Sequence, residues 1–295
     1  MNNIRLFTDS SCDLPQEYLK EHSVTMLPFY VSFNSTDYYK EIEEISIDTF
    51  YEKLVSTKIF PKTSLPSVQN YLDAFMPAVK EDANIICTCL TSKFSGSYQS
   101  ACTAKDMILD DYPNANISII NSMQATAGQG LVLHQVIGMV EAGMSYIDIL
   151  SKIDTLISTS RIFFTVGTLE YLQKGGRVGK ASALAGSILN LKPIIQLNEG
   201  ELLPVGTVRG RGRSLDKVVS LISEYFEQHG ENYNDYDFCV VYGSDKADSL
   251  KILNSLENLI GYKLKLPLMQ IGITIGTYTG PDPSGICFIK KWINI

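Results

Sequence analysis

From its amino end the chain alternates short apolar runs with stretches in which apolar residues recur every three or four positions. IRLFTD at 4–9, VTMLPFYVSF at 24–33, IICTCL at 85–90 and ISII at 117–120 read as strands rich in β-branched residues. Helix signals lie between them. Asp13 followed by Pro15 and Gln16 reads as a capping arrangement, and Ser67 after Pro66 opens SVQNYLDAF. After Ser95, the residues Tyr98, Ala101, Cys102, Ile108 and Leu109 share one helical face, and a further helix is expected over 125–141. Strands separated by helices predict a parallel sheet covered on both faces.

From about residue 160 the pattern changes. RIFFTVG at 161–167, KPIIQL at 192–197, ELLPVGTV at 201–208, DFCVVYG at 237–243, KLPLMQIGITIG at 265–276 and ICFIKKW at 286–292 put strands next to one another. Asn198, Glu199 and Gly200 read as the turn of a hairpin, so antiparallel pairing enters here. The expected fold class is α/β, with an N-terminal parallel sheet and flanking helices followed by a C-terminal mixed or antiparallel sheet with helices. A length of 295 residues favours two domains, 1–158 and 159–295.

Composition narrows the function classes. With 45% hydrophobic and 19% charged residues and a mean hydropathy of +0.04, the chain has the profile of an ordinary soluble globular protein. A net charge of −7 argues against a nucleic-acid partner, because phosphate binding needs clustered Lys and Arg. MNNIRLFTDSS has no apolar leader core and no run approaches a membrane span, so a cytoplasmic protein is expected, with only transient contact to a membrane surface left open. Cys12, Cys87, Cys89, Cys102, Cys239 and Cys287 never form C-x-x-C, and His22, His134 and His229 are far apart, so no metal site is expected. Cys87 and Cys89 fall on one face of a strand, where packing is their expected use.

The candidate chemistry lies in loops rich in Ser, Thr and Gly: TDSSCD at 8–13, KTSLPS at 62–67, TSKFSGSYQSA at 91–101 and IGTYTGPDPSG at 275–285. The first and third leave the C-terminal ends of strands, the edge at which open parallel sheets bind ligands. A hydroxyl-rich loop opening a helix offers free backbone N–H groups and a positive dipole end, which suit an anion. The same composition also serves as caps and turns, and for any single loop that is the commoner use. Neither KGGRVGKAS at 174–182 nor AGQGLVL at 127–133 has the glycine spacing of a nucleotide loop, so no nucleotide cofactor is expected. No G-x-S-x-G elbow is present for serine catalysis. RGRGRS at 209–214 sets Arg209, Arg211 and Arg213 at alternate positions, which would share one side of an extended segment: a local positive patch for an acidic partner, or a solvated loop.

In this order, TDSSCDLP, KTSLPS, LTSKFSGSYQSA, LEYLQKGGRVGKASA, KPII, GTVRGRGRS and IGTYTGP resemble the DegV family over nearly the whole chain. The resemblance implies a DegV-like two-domain α/β protein that binds one long-chain fatty acid. It further implies that the protein would present the carboxylate to the separate ATP-binding subunit of a fatty acid kinase, which would form an acyl phosphate for phospholipid metabolism. The chain itself would be a lipid carrier rather than an enzyme, with no cofactor beyond the bound fatty acid. Carried over by motif, the carboxylate ligands are Thr63, Ser95 and the Gly96 amide, with Arg177 in the surrounding network; 1–158 would carry these loops and 159–295 complete the acyl pocket. Tyr278 stands where the family usually has histidine, and Asp282 where it has glycine; a phenol can donate a hydrogen bond but cannot carry positive charge. Phe164, Ile188 and Leu189 are candidates for shaping the tail pocket. The alternative is a self-sufficient small-molecule phosphotransferase or a hydrolase using Ser95. A third reading makes the chain a regulatory or interaction module, with Arg209, Arg211 and Arg213 of RGRGRS as its docking surface for the kinase.

Overall fold

The computed structural model describes residues 3–184, 191–266 and 268–295; Ile188 and Leu189 lie outside them. In chain order the elements are β1 (Ile4–Asp9), α1 (Gln16–Glu21), β2 (Val24–Leu27), β3 (Tyr30–Ser32), β4 (Tyr39–Lys40), α2 (Ile47–Thr57), β5 (Lys62–Ser64) and α3 (Val68–Lys80). There follow β6 (Asn84–Cys89), α4 (Ser97–Asp111), β7 (Ile117–Asn121), α5 (Thr126–Glu141), α6 (Tyr146–Ser158), β8 (Arg161–Thr165), α7 (Glu170–Lys174) and β9 (Leu191–Asn198). The chain ends with β10 (Glu201–Arg209), α8 (Arg211–His229), β11 (Tyr236–Tyr242), α9 (Ala247–Ile260), β12 (Leu268–Gln270), α10 (Ile273–Thr279) and β13 (Ser284–Lys290).

The first sheet is parallel throughout, in the order β2-β1-β6-β7. Its faces follow the two-residue period of a strand. Phe7, Ile85, Cys87 and Cys89 pack with Tyr71 and Phe75 of α3 and Ala101 and Ile108 of α4, while Leu6 and Ile86 turn to the opposite core with Leu131 and Val132 of α5. Cys87 and Cys89 are buried and free, as packing residues should be. The second sheet runs β10-β9-β8-β13-β11-β12, antiparallel except for the β11–β12 pair. Glu199 (φ 49°) and Gly200 (φ 77°) form the expected β9–β10 turn, both in the left-handed region that a two-residue hairpin loop uses.

Helix α5 lies between the sheets. It is apolar on nearly every side, as a helix with packing partners all round must be. Gly128 and Gly130, the glycines of the rejected nucleotide motif, let it approach: a side chain at Gly128 would meet Ile162 at 2.8 Å, and one at Gly130 the Cys12 carbonyl at 2.6 Å. α8 and α9 cover the outer face of the second sheet around Phe163, Phe226 and Phe288. No described helix is long and apolar enough to cross a membrane.

Three elements differ from expectation. VTMLPFYVSF is not one strand, because Pro28 has no N–H for a ladder: Val24–Leu27 pairs with β1, and Tyr30–Ser32 joins a small antiparallel sheet, β4-β3-β5, in which Val31 lies opposite Thr63. Among the described residues of KLPLMQIGITIG, Leu268–Gln270 is strand, and the Thr- and Gly-rich stretch after it is helix α10. RGRGRS is not extended: Arg209 ends β10, Gly210 turns the chain, and Arg211 and Arg213 occupy the first turn of α8.

Candidate functional site

A cavity enclosing about 910 Å³ of empty space, part of it open to solvent, is lined by residues of both halves of the chain. The first half of the chain supplies Phe29, Leu65, Leu90 and Ala125 to its wall, and the second half Ile162, Phe164, Leu197, Val241 and Ile271. Polar groups gather among Thr63, Ser95, Gly96, Thr126, Arg177, Thr274 and Tyr278. The structure therefore brings Thr63, Ser95, Gly96, Arg177 and Tyr278 to one cavity, from four separate segments.

Each is held for a local reason. Thr63 sits on β5, and its Oγ1 and the Tyr278 hydroxyl are 2.7 Å apart in a hydrogen bond. Ser95 and Gly96 belong to the turn between β6 and α4, closed by the Phe94 N–H donating to the Thr91 carbonyl at 3.0 Å. Ser95 Oγ accepts from the Ser97 N–H at 3.1 Å, and Ser97 Oγ donates to the buried Asp9 carboxylate at 2.8 Å. Asp9 thus fixes the turn that carries Ser95. Arg177 donates from Nε to the Phe94 carbonyl at 3.2 Å and from Nη1 to the Gly175 carbonyl at 2.6 Å, and its guanidinium lies 4.9 Å from the Tyr278 ring centre. The Tyr278 ring rests on Gly175, where an added Cβ would fall 2.2 Å from the ring.

TDSSCD plays a different part from the one its position suggested. Ser10, Ser11 and Cys12 are buried in a single 3-10 turn, and residues 8–13 are absent from the cavity lining. Asp13 does not cap α1; it has a left-handed φ of 54° and accepts from Thr126 Oγ1 at 2.6 Å and from the Gly272 N–H. Glu41 accepts from the Thr274 N–H at 2.8 Å and Thr274 Oγ1 at 3.0 Å, and also from Ser10 Oγ. The Asp13 and Glu41 carboxyl groups therefore cap the start of α10, the helix that carries Tyr278. Burial pushes the Asp9, Asp13 and Glu41 carboxyls above their ordinary range, against the hydrogen bonds that pull each one down.

Sequence reading missed Asp13, Glu41, Thr126 and Thr274 as parts of this site. Glu41 stands in the acidic run KEIEE, which reads as a solvated turn, and nothing local separates it from Glu43 or Glu44. Histidine is missing from the cavity lining: His22 meets Glu141, His134 meets Tyr18 and His229 meets the Tyr225 carbonyl. Ser95 therefore has no imidazole base beside it. The arginines of RGRGRS lie outside the lining. Arg211 donates to Asp248 at 2.8 Å and Ser284 Oγ at 2.8 Å, tying α8 to α9 and β13, whereas Arg209 and Arg213 are exposed.

A profile described as an uncharacterised protein of the DegV family matches residues 3–291. The chain belongs to the DegV family. A DegV domain-containing protein of Caldanaerobacter subterraneus subsp. tengcongensis is 30% identical over 294 residues, covering 99% of this chain and 100% of that one. Among solved structures, a stearic acid-binding protein from Eubacterium ventriosum superposes with a TM-score of 0.94 at 39% identity, with 100% of both chains covered. A DegV family protein from Thermus thermophilus, solved for its fatty acid binding, superposes with a TM-score of 0.86 at 28% identity, covering 98% of this chain and 99% of that one. The DegV fold thus extends over all of the architecture described above.

Proposed function

We propose that this protein binds one long-chain fatty acid, with the tail in the cavity and the carboxylate among Thr63, Ser95, the Gly96 amide, Arg177 and Tyr278. The observation that carries this reading is the composition of one cavity: an apolar wall drawn from both halves of the chain, joined by a connected polar group in which Thr63 bonds Tyr278, Arg177 lies on the Tyr278 ring, and Arg177 bonds the Phe94 carbonyl next to Ser95. At roughly 0.8 kcal/mol per buried CH₂, a tail of about sixteen carbons brings roughly 12 kcal/mol before ordering costs. The polar end need only compensate the desolvation of a single carboxylate. The fatty-acid-binding relatives with the same fold support the ligand class. The division at 158/159, in the turn between α6 and β8, belongs to the same proposal, with each domain giving one side of the pocket.

The protein is a carrier in this reading, acting in the cytoplasm, and a separate ATP-dependent kinase subunit performs the chemistry. A carboxylate oxygen forms a bond to the γ-phosphorus of the partner's ATP, the bond from that phosphorus to the bridging oxygen breaks, and ADP leaves with the electron pair. Neutral donors suit this step, because a tight ion pair to the nucleophilic oxygen would stabilise the ground state as much as the transition state. Arg177 spends two of its donors on backbone carbonyls, which limits what it offers the carboxylate. For the docking surface we propose the exposed Arg209 and Arg213; Arg211 joins them only by giving up Asp248.

Denaturing extraction of the purified protein followed by mass spectrometry tests the lipid. About one long-chain fatty acid per chain is expected. An empty protein that also takes up neither palmitate nor stearate would end the proposal.

A further inference from the structure

Adjoining the cavity, and sharing Thr63, Arg177 and Tyr278 with it, is a second pocket enclosing about 800 Å³ of empty space, part of it open to solvent. The rest of its lining includes Tyr38, Phe60, Lys62 and Lys174. Lys62, Lys174 and Arg177 are cationic, and no acidic side chain lines the pocket among the described residues. In a chain with 32 acidic and 25 basic side chains, such a surface is not what average composition supplies.

Lys174 and Arg177 are also held in place. The Lys174 ammonium sits 3.6 Å from the Phe60 ring centre, and Phe60 in turn packs on Tyr171 at 4.8 Å. Its carboxylate contact is Glu170 at 3.0 Å, one helical turn away, with both side chains about half exposed, so water and salt compete with that pair. Arg177 Nη2 makes no hydrogen bond among the described residues.

We propose that this pocket is a seat for a phosphate-type dianion immediately outside the fatty acid carboxylate, with Lys62 and Lys174 as its charge-bearing side chains. The inference rests on the fatty acid reading and deepens it. Thr63, Arg177 and Tyr278 line both chambers; the Ser95 hydroxyl and the Gly96 amide line only the inner one, where a monoanion must stay reactive, and the ammonium groups of Lys62 and Lys174 only the outer one. Converting the head of the bound chain to an acyl phosphate replaces a single negative charge by roughly 1.5 to 2 at neutral pH and moves it outward onto the phosphoryl oxygens, a change that lysines meet and hydroxyls do not. Two sources share this chemistry: the phosphoryl group of an acyl phosphate whose tail remains in the cavity, and a free phosphate.

The test uses the full-length protein stripped of lipid, and Lys62→Gln, Lys174→Gln and double variants of it. Binding of stearate and of octadecyl phosphate is measured by displacement of a fluorescent fatty acid. Binding of inorganic phosphate to the stearate-loaded protein is measured by titration calorimetry. The double variant should lose about tenfold or more in affinity for octadecyl phosphate, the scale of losing charge-assisted contacts in a solvent-open site. Stearate affinity and melting temperature should stay close to wild type. If only octadecyl phosphate shows the lysine dependence, the anion is the head of the bound chain; if inorganic phosphate shows it too, the seat also takes free phosphate. Either result supports the seat. Octadecyl phosphate affinity that ignores both lysines, or a parallel loss of stearate and octadecyl phosphate, overturns it while leaving the fatty acid reading intact. Wild-type protein that binds no stearate overturns both.

Discussion

At the scale of single residues, Tyr278 owes its position to an atom that is absent. Gly175 has an ordinary φ of −77°, so its role is not conformational freedom; it leaves the space that the Tyr278 ring fills. Gly175→Ala should push the ring off its seat, break the Thr63–Tyr278 hydrogen bond and cost about 1–3 kcal/mol, the range for overpacking a filled site. Thermal melts and fatty acid titrations on Gly175→Ala, Tyr278→Ala and the double variant form a cycle that isolates the contact. In the Tyr278→Ala background the Gly175→Ala cost should shrink to within about 0.5 kcal/mol. Equal costs in both backgrounds would mean that the ring is not what Gly175 accommodates. Little of this was legible in the chain: KGGRVG read as a failed phosphate loop, since nothing local says that an aromatic ring about a hundred positions away lies on its second residue. Ser95 and Thr63 were legible as hydroxyls in helix-opening or turn segments, and the structure brings both to the cavity.

At the scale of elements, α10 is where sequence pattern and structure part most clearly. A seven-residue helix rich in Gly and Thr has little intrinsic stability, and its Ile-Gly alternation reads as strand. What makes it helical is tertiary: Asp13 and Glu41, far away in the chain, accept from its first N–H groups, and Gly276 lets it lie against Phe50 and Tyr51 of α2. Such partners leave no local mark, whereas Pro28 and the Glu199–Gly200 turn act on their own neighbours and can be read directly. The carboxylate caps also predict a pH dependence. Burial, with Glu41 and Asp9 adding to it, holds the Asp13 carboxyl well above its ordinary range, so the folded protein keeps a proton that the unfolded chain releases first. The stability linked to that proton is fully present below the unfolded value of about 4 and is lost as pH rises through the folded value. Asp13→Asn cannot ionise and keeps an oxygen for the Gly272 N–H. The melting-temperature gap between wild type and Asp13→Asn should therefore move in favour of the variant as pH is raised from about 4 to about 8. A gap that stays flat, or that moves toward wild type, would mean that Asp13 is not protonated in the fold.

At the scale of the whole molecule, the parallel sheet and the hairpin-rich second sheet were readable because each follows from the two-residue period and the spacing of helices. The cavity was not readable from the residue pattern, and only the family resemblance implied it, because it exists only where the two halves of the chain face each other. Leu65, Leu90 and Ala125 reach it from the first half of the chain and Ile162, Val241 and Ile271 from the second. A ligand filling it touches both halves, and this has a thermodynamic consequence: any free energy of binding to the folded state is added to the stability of both together. Stearate at about one hundred times its dissociation constant should add about 2.7 kcal/mol to the lipid-free protein. For a chain of this size that corresponds to a rise of about 4–8 °C in melting temperature. Calorimetry should show the unfolding of the two halves moving up together, while butyrate, too short to reach across the cavity, leaves the curve in place. If the two halves melt separately and stearate moves only one of them, the tail is held within a single half, and the inner wall contributed by the other is packing rather than binding surface.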